Sequence, residues 1–472
     1  MARAQITWQV WVDTGGTFTD CIALDPSGNR IRLKVLSSGA LRGVLLERTA
    51  PATYRFSPNW PGKEPIFEGY RLRLLSDPGA SALVEEMDLI EGRIRLDRDL
   101  PLAAPATFEI SANEEAPVLA ARLATATPLN RSLPPIRFRL GSTKGTNALL
   151  ERKGARAVLL ITKGFADLIA IGTQQRPHLF QLDIPDPVLL YDEVIEIDER
   201  IGVDGQIVHP LTQRELRRVR KALRVLQPES IAIALLHAYA FPEHERMLAE
   251  AIRTDGWPFV SVSHELSPTV QLLPRAQTTL VNAYLAPVLE RYLMGIAESL
   301  SPVAGRPSLR VMTSSGGLVE AGQFHPKDSL LSGPAGGVVG AARIGKQLGY
   351  TQILTLDMGG TSTDTARYDG NFHYELETAI GGVRLRNPAL AIETVAAGGG
   401  SICAFDGHRL QVGPESAGAF PGPACYGAGG PLTVTDVNLL LGKLEPSRMG
   451  IPIDRNAAEQ KLEALRGQIL SA

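Results

Sequence analysis

Four aspartates, set in two copies of one eight-residue pattern, carry the most pointed chemistry in the chain. Asp13-Thr14-Gly15-Gly16-Thr17-Phe18-Thr19-Asp20 and Asp357-Met358-Gly359-Gly360-Thr361-Ser362-Thr363-Asp364 both read D-x-G-G-T-x-T-D. Paired glycines let a backbone approach a ligand closely, and free N–H groups beside threonine hydroxyls suit phosphate oxygens. The aspartates suit a hydrated magnesium ion, a hard cation that prefers oxygen ligands. A single copy has a plainer reading, an ordinary glycine-rich turn whose Asp and Thr satisfy local backbone groups. Two copies point to a duplicated phosphate-binding unit, with the turns gripping a nucleotide's phosphates from both sides.

The elements that must position these residues repeat as well. Each copy follows an apolar run, residues 8–12 and 353–356, and precedes a second, 21–24 and 365–368. Each is therefore expected to be the tight turn of a β-hairpin. A third strand is predicted over 30–36, after the turn Asp25-Pro26-Ser27-Gly28-Asn29. In the second copy it is predicted from residue 372 to about 378, after Asp369-Gly370-Asn371. The first unit thus covers residues 6–36.

Bulk composition narrows the class. At 472 residues the chain is too long for one hydrophobic core, so two or more domains are expected. A net charge of −2 gives no electrostatic case for nucleic acid or an anionic membrane surface. No apolar run reaches the roughly 20 residues of a membrane span. The first residues lead straight into a strand, so no secretory leader is expected. Cys21, Cys403 and Cys425 are sparse and form no C-x-x-C, which points to a reducing cytoplasm without disulfides or a zinc ribbon.

Between the two patterns the texture changes twice. Residues 42–135 are proline-rich, with short strand-like runs and a helical run over 115–126; they read as an inserted subdomain. From Gly141 an α/β rhythm sets in. Helices are predicted over 147–153, 212–226, 242–253 and 277–299, and strands over 157–162, 231–236, 259–263 and 309–312. Thr212-x-x-Glu215 is a capping box. Ser332-Gly333-Pro334-Ala335-Gly336-Gly337 opens a helix of small residues, 338–348, suited either to an anion or to close packing. Glycine-rich loops at 396–401 and 422–427 either carry amides to a site or turn tightly, and Thr433-Val434-Thr435-Asp436 caps a last helix over 437–441. His237 ends an apolar strand, where α/β sheets place ligands, and is equally readable as a hydrogen-bonded histidine at a seam. His264 stands in the same position, and Cys425 reads as a buried small residue.

The two turns resemble the phosphate motifs of the actin-like ATPase superfamily. More narrowly, the chain is similar to the hydantoinase A/5-oxoprolinase family. The segments that carry this are 13–20, 141–152, Ile171-Gly172-Thr173-Gln174-Gln175-Arg176-Pro177, 235–239, 263–265, 281–285, 332–337, 398–400 and 422–427. The 171–177 version leans to the oxoprolinase branch. The 42–135 insertion departs from the family plan. The resemblance implies an α/β fold of duplicated actin-like, ribonuclease H-like domains. The first would comprise 1–41 and 136–335, with 42–135 inserted. Residues 336–472 would begin a second, truncated one. Relatives continue further, with a glycine-rich segment for adenosine, so the chain is expected to be the N-terminal portion of a larger one.

The implied activity is ATP-dependent opening of a cyclic amide, of the 5-oxoproline or hydantoin type, by phosphorylation of the amide oxygen. Phosphoryl transfer needs chiefly positioning and charge neutralisation. On this reading ATP and Mg2+ are the cofactors. Asp13 and Asp357 hold the metal, and Gly15, Gly16, Thr17, Gly359, Gly360 and Thr361 cradle phosphate. Asp20 or Asp364 orients the pocket or acts as base, with the choice open. Lys144 is a phosphate contact or a surface lysine. Asn147, His237 and His264 are weaker substrate candidates; for Asn147 the plain alternative is a helix-start cap. The implied partners are a small cyclic amide, a hydantoinase B-type subunit or fused domain, and further copies of the chain. Two other readings stay open. One is the ATP-using subunit of an acetone- or acetophenone-type carboxylase, the other a non-catalytic, chaperone-like ATP-binding module.

Overall fold

Alternating burial builds the first hairpin. Strand Trp8–Thr14 buries Val10, Val12 and Thr14, and strand Phe18–Leu24 buries Thr19, Cys21 and Ala23. Arg30–Leu36 adds the third strand, antiparallel to the second. In this computed structural model the described residues are 7–472 apart from 59, 61–65, 78, 102–104, 176–179, 181, 183–186, 188, 301–308, 419 and 450. Residue 6 of the first unit, and Arg176 and Pro177 of the 171–177 segment, lie outside the described residues.

The fold is mixed α/β. The first sheet has the order Leu318–Glu320, Leu309–Met312, Ile136–Ser142, Trp8–Thr14, Phe18–Leu24, Arg30–Leu36. Strands Ile136–Ser142 and Leu309–Met312 join parallel to the first strand and its neighbour, while the three strands at the other end form an antiparallel meander. The parallel pairing sets Asp13 opposite Gly141 and Thr14 opposite Ser142. Helix Ala116–Thr125 packs against this sheet rather than inside the insertion with which the sequence groups it.

The proline-rich stretch closes on itself. Strands Ala40–Ala50, Thr53–Pro58, Arg93–Leu96, Ser81–Asp88, Arg71–Leu74 and Ala106–Ser111 form a closed barrel in that order. Closure removes the free strand edges that a small sheet would otherwise expose. Phe56, Trp60, Phe67 and Phe108 pack with ring centroids 5.8 to 6.3 Å apart. The barrel interior and the first sheet share one continuous apolar core.

The α/β rhythm yields a second sheet, order Glu193–Ile197, Ala157–Thr162, Ser230–Ala234, Val260–Val262, parallel throughout. Its two central strands are buried at every position, as expected of a sheet covered on both faces. Helices Gln213–Leu226 and Glu243–Thr254 cover one face, and helix Leu272–Ser299 the other. Thr212 caps the first, its Oγ1 accepting from the Glu215 amide at 3.2 Å.

The second copy departs from the predicted plan in one respect. Ile353–Met358 and Thr363–Tyr368 form the hairpin, but the third place in the sheet is taken by Glu393–Val395. The strand predicted near 372–378 is observed as Tyr374–Ile380, and it turns at Gly381-Gly382 to pair with Val383–Leu390. Both glycines have positive φ, so the turn is tight. Ile380, Val383 and Leu385 are thereby buried beneath helix Leu272–Ser299, with Val383–Leu390 making the contact. The small-residue segment 332–337 does not precede its helix but forms its first turns, Ser332–Gln347.

Phe108 is fully buried at the centre of the aromatic cluster. Phe108→Ala is expected to lower the unfolding free energy of the protein by about 3–5 kcal/mol, the usual cost of emptying such a site. Urea denaturation followed by tryptophan fluorescence measures it, and a loss well under 1 kcal/mol would contradict this account of the barrel core.

Candidate functional site

Helix Ser332–Gln347 brings the two patterns together. A Cβ placed on Gly333 would lie 3.5 Å from Asp13 Oδ1, and one on Gly337 would lie 3.9 Å from Asp357 Oδ2. The two glycines stand four residues apart, so they share a helix face at about 6 Å along the axis. The carboxylates of the two hairpins therefore approach one helix about one turn apart, near its N-terminus, where the backbone dipole favours negative charge. The turns themselves also meet, since a Cβ on Gly360 would lie 3.3 Å from Thr17 Oγ1.

Each turn is held by its surroundings. In the first, the Gly15 amide donates to Phe18 O at 3.0 Å, and Ser37 donates its amide to Thr17 O (2.9 Å) and its hydroxyl to Gly15 O (2.8 Å). Thr143 donates amide and hydroxyl to Thr14 O, at 2.9 and 3.2 Å. Buried Tyr292 places its hydroxyl 3.3 Å from Thr14 Oγ1. In the second, the Gly399 and Gly400 amides donate to Gly359 O and Gly360 O at 2.9 and 2.6 Å. This clamp needs glycine, because a Cβ on Gly398 would sit 2.6 Å from the Gly360 carbonyl. The loop at 396–401 thus grips the turn, its amides donating to protein carbonyls. The amides of Gly16, Thr17, Gly360 and Thr361 donate to no protein acceptor among the described residues and stay free for an anion.

The four aspartates divide into two kinds. Asp20 pairs with Lys34 at 2.8 Å, and Asp364 accepts from Thr394 Oγ1 at 2.6 Å. Asp13 and Asp357 receive no hydrogen bond from any described residue. Asp13 is pushed up from 3.8 to about 6 by enclosure, then by the Asp20 and Asp357 charges, with Lys34 opposing. Its surface touches solvent even though protein crowds it, so it is enclosed in a cleft and not excluded from water. Asp364 is raised by burial, against the Thr394 hydrogen bond, and further by Asp357. Two mutually repelling carboxylates without protein donors suit a hydrated divalent cation. Among the described residues no group of three or more His, Cys, Asp or Glu is placed to hold a metal ion.

The other candidates fall in different places. Asn147 Nδ2 lies 3.3 Å from Thr143 Oγ1 and 3.5 Å from where a Gly16 Cβ would be, so it flanks the first turn; Thr143, not Asn147, is the N-cap residue of its helix. Lys144 Nζ is 3.3 Å from the Glu115 carboxylate and 4.2 Å above the Tyr292 ring, beside Thr14's support. His264 Nδ1 is 2.7 Å from Glu245 Oε2, in a buried network that also holds Ser263 and fully buried Arg275. His237 lines a cleft of about 520 Å³ that shares no residue with the hairpins. That cleft is open to solvent, and the aspartates and free amides, not cavity size, mark the hairpins as the site. Ser37 and Tyr292 escape a reading by motif, and Thr143 lies inside the 141–152 segment with no role read for it. Ser37 carries a weak turn signal in Ser37-Ser38-Gly39, and Tyr292 carries none.

Two models of one family match the chain: hydantoinase/oxoprolinase over residues 275–471 and the hydantoinase/oxoprolinase N-terminal region over 106–256. The chain belongs to the hydantoinase/oxoprolinase family. It is similar to 5-oxoprolinase of Saccharomyces cerevisiae, 43% identical over 338 residues, 66% of this chain and 26% of that protein. It is 41% identical over 360 residues to 5-oxoprolinase 1 of Arabidopsis thaliana, 70% of this chain and 28% of that protein. It is 34% identical over 343 residues to caprolactamase subunit alpha of Pseudomonas jessenii, 70% of this chain and 49% of that protein. The chain thus spans about a quarter of the length of the 5-oxoprolinases it matches. Among solved structures, nucleotide-free acetone carboxylase matches with TM-score 0.67 at 22% identity, over 98% of this chain and 59% of that one. The ATP-dependent caprolactamase of Pseudomonas jessenii matches with TM-score 0.61 at 28% identity, over 97% of this chain and 58% of that one. Among the described residues no helix is long and apolar enough to cross a membrane.

The raised Asp13 fixes the sign of a pH effect. Folding favours its protonated form, so its unfavourable contribution is absent below about pH 4 and complete above about pH 6. In metal-free buffer, Asp13→Asn is expected to stabilise the protein at pH 7 and to be neutral near pH 4, read from melting temperatures across that range. A stabilisation that grew toward low pH would contradict the assignment. The clamp gives a second outcome: Gly398→Ala should cost about 1–3 kcal/mol by forced backbone displacement, measured by chemical denaturation.

Proposed function

We propose that this chain is the phosphate-binding portion of an enzyme that hydrolyses a cyclic amide, of 5-oxoproline or hydantoin type, in a reaction driven by ATP. The observation that carries the reading is the convergence of Asp13 and Asp357 on Gly333 and Gly337, with four free turn amides alongside. The names of the 5-oxoprolinase and caprolactamase relatives support the substrate class. The order of the first sheet, a three-stranded meander followed by two parallel strands, supports a ribonuclease H-like unit. The second hairpin supports its duplication in an actin-like plan, with the barrel as an insertion in the first unit and the second unit beginning near residue 336.

An amide carbonyl is a poor electrophile; transfer of a phosphoryl group to its oxygen makes its carbon open to attack by water. Gly16, Thr17, Gly360 and Thr361 would cradle the phosphates with their amides and threonine hydroxyls, while Gly15 and Gly359, whose amides close their own turns on Phe18 O and Ser362 O, would let the backbone come close. Asp13 and Asp357 would hold Mg2+, which supplies charge neutralisation at the transferring group. Asp364 is a better base than Asp20, because Asp20 is tied to Lys34 while burial raises the Asp364 carboxyl above its ordinary value. Asn147 would orient substrate against the first turn. Lys144 would act at one remove, through Tyr292 and Thr14. In this reading the enzyme is cytoplasmic and forms homo-oligomers. It is completed by a hydantoinase B-type subunit or a fused segment, as the name of the caprolactamase alpha subunit suggests.

The test is phosphate release by the full-length enzyme with its partner, given 5-oxoproline, hydantoin or acetone. A cyclic amide should stimulate release several-fold, and Asp13→Asn or Asp357→Asn should lower it by about 100-fold or more. Stimulation by acetone alone would instead assign a carboxylase. Full activity in both variants would remove the phosphate-site reading altogether.

A further inference from the structure

The cleft that holds His237 occupies a definite place in the topology. In the second sheet the chain leaves strand Ala157–Thr162 toward Glu193–Ile197 on one side. It then returns to the other side as Ser230–Ala234 and continues outward to Val260–Val262. Connections thus diverge between Ala157–Thr162 and Ser230–Ala234. In open parallel sheets the crevice beyond the carboxyl ends at such a point is where ligands bind. Lys163 follows the first of these strands directly, and Leu236 and His237 follow the other. Asp198 and Arg200 come from the end of Glu193–Ile197, and all five line the cleft of about 520 Å³. That size suits a small molecule.

The charges decide what kind. Both acids of the cleft are already engaged. Asp198 lies 3.2 Å from Lys163 Nζ and 3.3 Å from His209 Nε2. Buried Glu199 accepts from Thr162 Oγ1 at 2.5 Å and pairs with His244 Nδ1 at 2.7 Å. Neither is free for a cation. The donors are less occupied. Arg200 uses Nη2 on Lys163 O at 2.9 Å and has no carboxylate partner among the described residues. The His237 ring makes no hydrogen bond to a described residue; its neighbour is the Tyr239 ring at 6.2 Å. His237 also has a left-handed backbone, φ 61°, fixed by its carbonyl accepting from the Ala240 and Phe241 amides at 3.0 Å each. A non-glycine residue held there, with an unpartnered ring on a cleft wall, is a functional feature more than a packing one.

We propose that this cleft is a second binding site, separate from the hairpins, for a small carboxylate anion held by the Arg200 guanidinium and the His237 imidazole. A planar guanidinium matches a carboxylate's two oxygens, and Leu236 supplies the apolar wall for a short carbon chain.

Ligand-observed NMR and calorimetry on the whole chain test this with glutarate as probe. Neutral glutaramide and inorganic phosphate serve as comparisons. Glutarate should bind with a dissociation constant of about 1 mM or tighter, and glutaramide should not. Arg200→Gln and His237→Gln should each weaken binding by about tenfold or more. Arg200→Lys should weaken it too, because the fork is lost. His237→Gly removes the ring while relieving the left-handed backbone, so it should keep the fold and still lose binding. Asp13→Asn should leave glutarate binding unchanged, which separates this site from the phosphate site whatever the fate of the ATP reading. Absence of glutarate binding, unchanged binding in both Arg200→Gln and His237→Gly, or loss in Asp13→Asn would overturn the proposal. Tighter binding of phosphate than of glutarate would overturn the carboxylate assignment.

Discussion

Two like charges pressed toward one helix are the constraint around which the rest is arranged. Asp13 and Asp357 lie against Gly333 and Gly337 with no hydrogen-bond donor from the described protein. Left alone, such a pair pushes its two hairpins apart. The opposing forces are distributed and largely backbone in character. Ser37 and Thr143 hold the first turn by its carbonyls, and Gly399 and Gly400 hold the second. Hydrogen bonds of this kind fix a turn's shape without filling the groove with side chains, so the amides facing it remain available.

The supports of the first turn reach far into the molecule. Thr14 leans on Tyr292 of the 28-residue helix, whose residues from Leu272 to Leu289 contribute to the core under the parallel sheet. The first sheet in turn shares its core with the barrel. The barrel therefore bears on the site through packing. Its closed form means that it adds mass and rigidity to one side of the groove without adding a sheet edge.

Much of this was legible in the sequence, for identifiable reasons. The hairpins were readable because alternating burial and a glycine pair are local signals. The parallel strands over 157–162 and 230–234 were readable because runs apolar at every position mean burial on both faces. The third strand of the second copy was misplaced because strand propensity does not name a partner. Tyr374–Ile380 pairs instead with Val383–Leu390, and it is that second strand which packs against the long helix. The segment 332–337 hid its helical state because glycine and proline signal turns, whereas here the first turn packs closely on its neighbours, a Cβ on Gly333 meeting Thr143 Cγ2 at 3.2 Å. His237 and His264 were recognisable as strand-end histidines but not as members of different environments. One is on an open wall; the other is locked onto Glu245 by contacts nearly 20 residues apart in sequence.

The hairpin Tyr374–Leu390 has a mechanical meaning. It lies in sequence between the second turn and its clamp, yet it is packed under helix Leu272–Ser299. It is pinned there by Arg152 donating to Gly381 O at 2.5 Å and by Lys327 Nζ donating to Asn387 Oδ1 at 2.8 Å. Any change in the width of the groove must leave this anchor behind. The body able to swing is then the short sheet with its clamp and the elements after residue 400, tethered at both ends of an immobile ribbon. Such a tether works against a free hinge between separate halves.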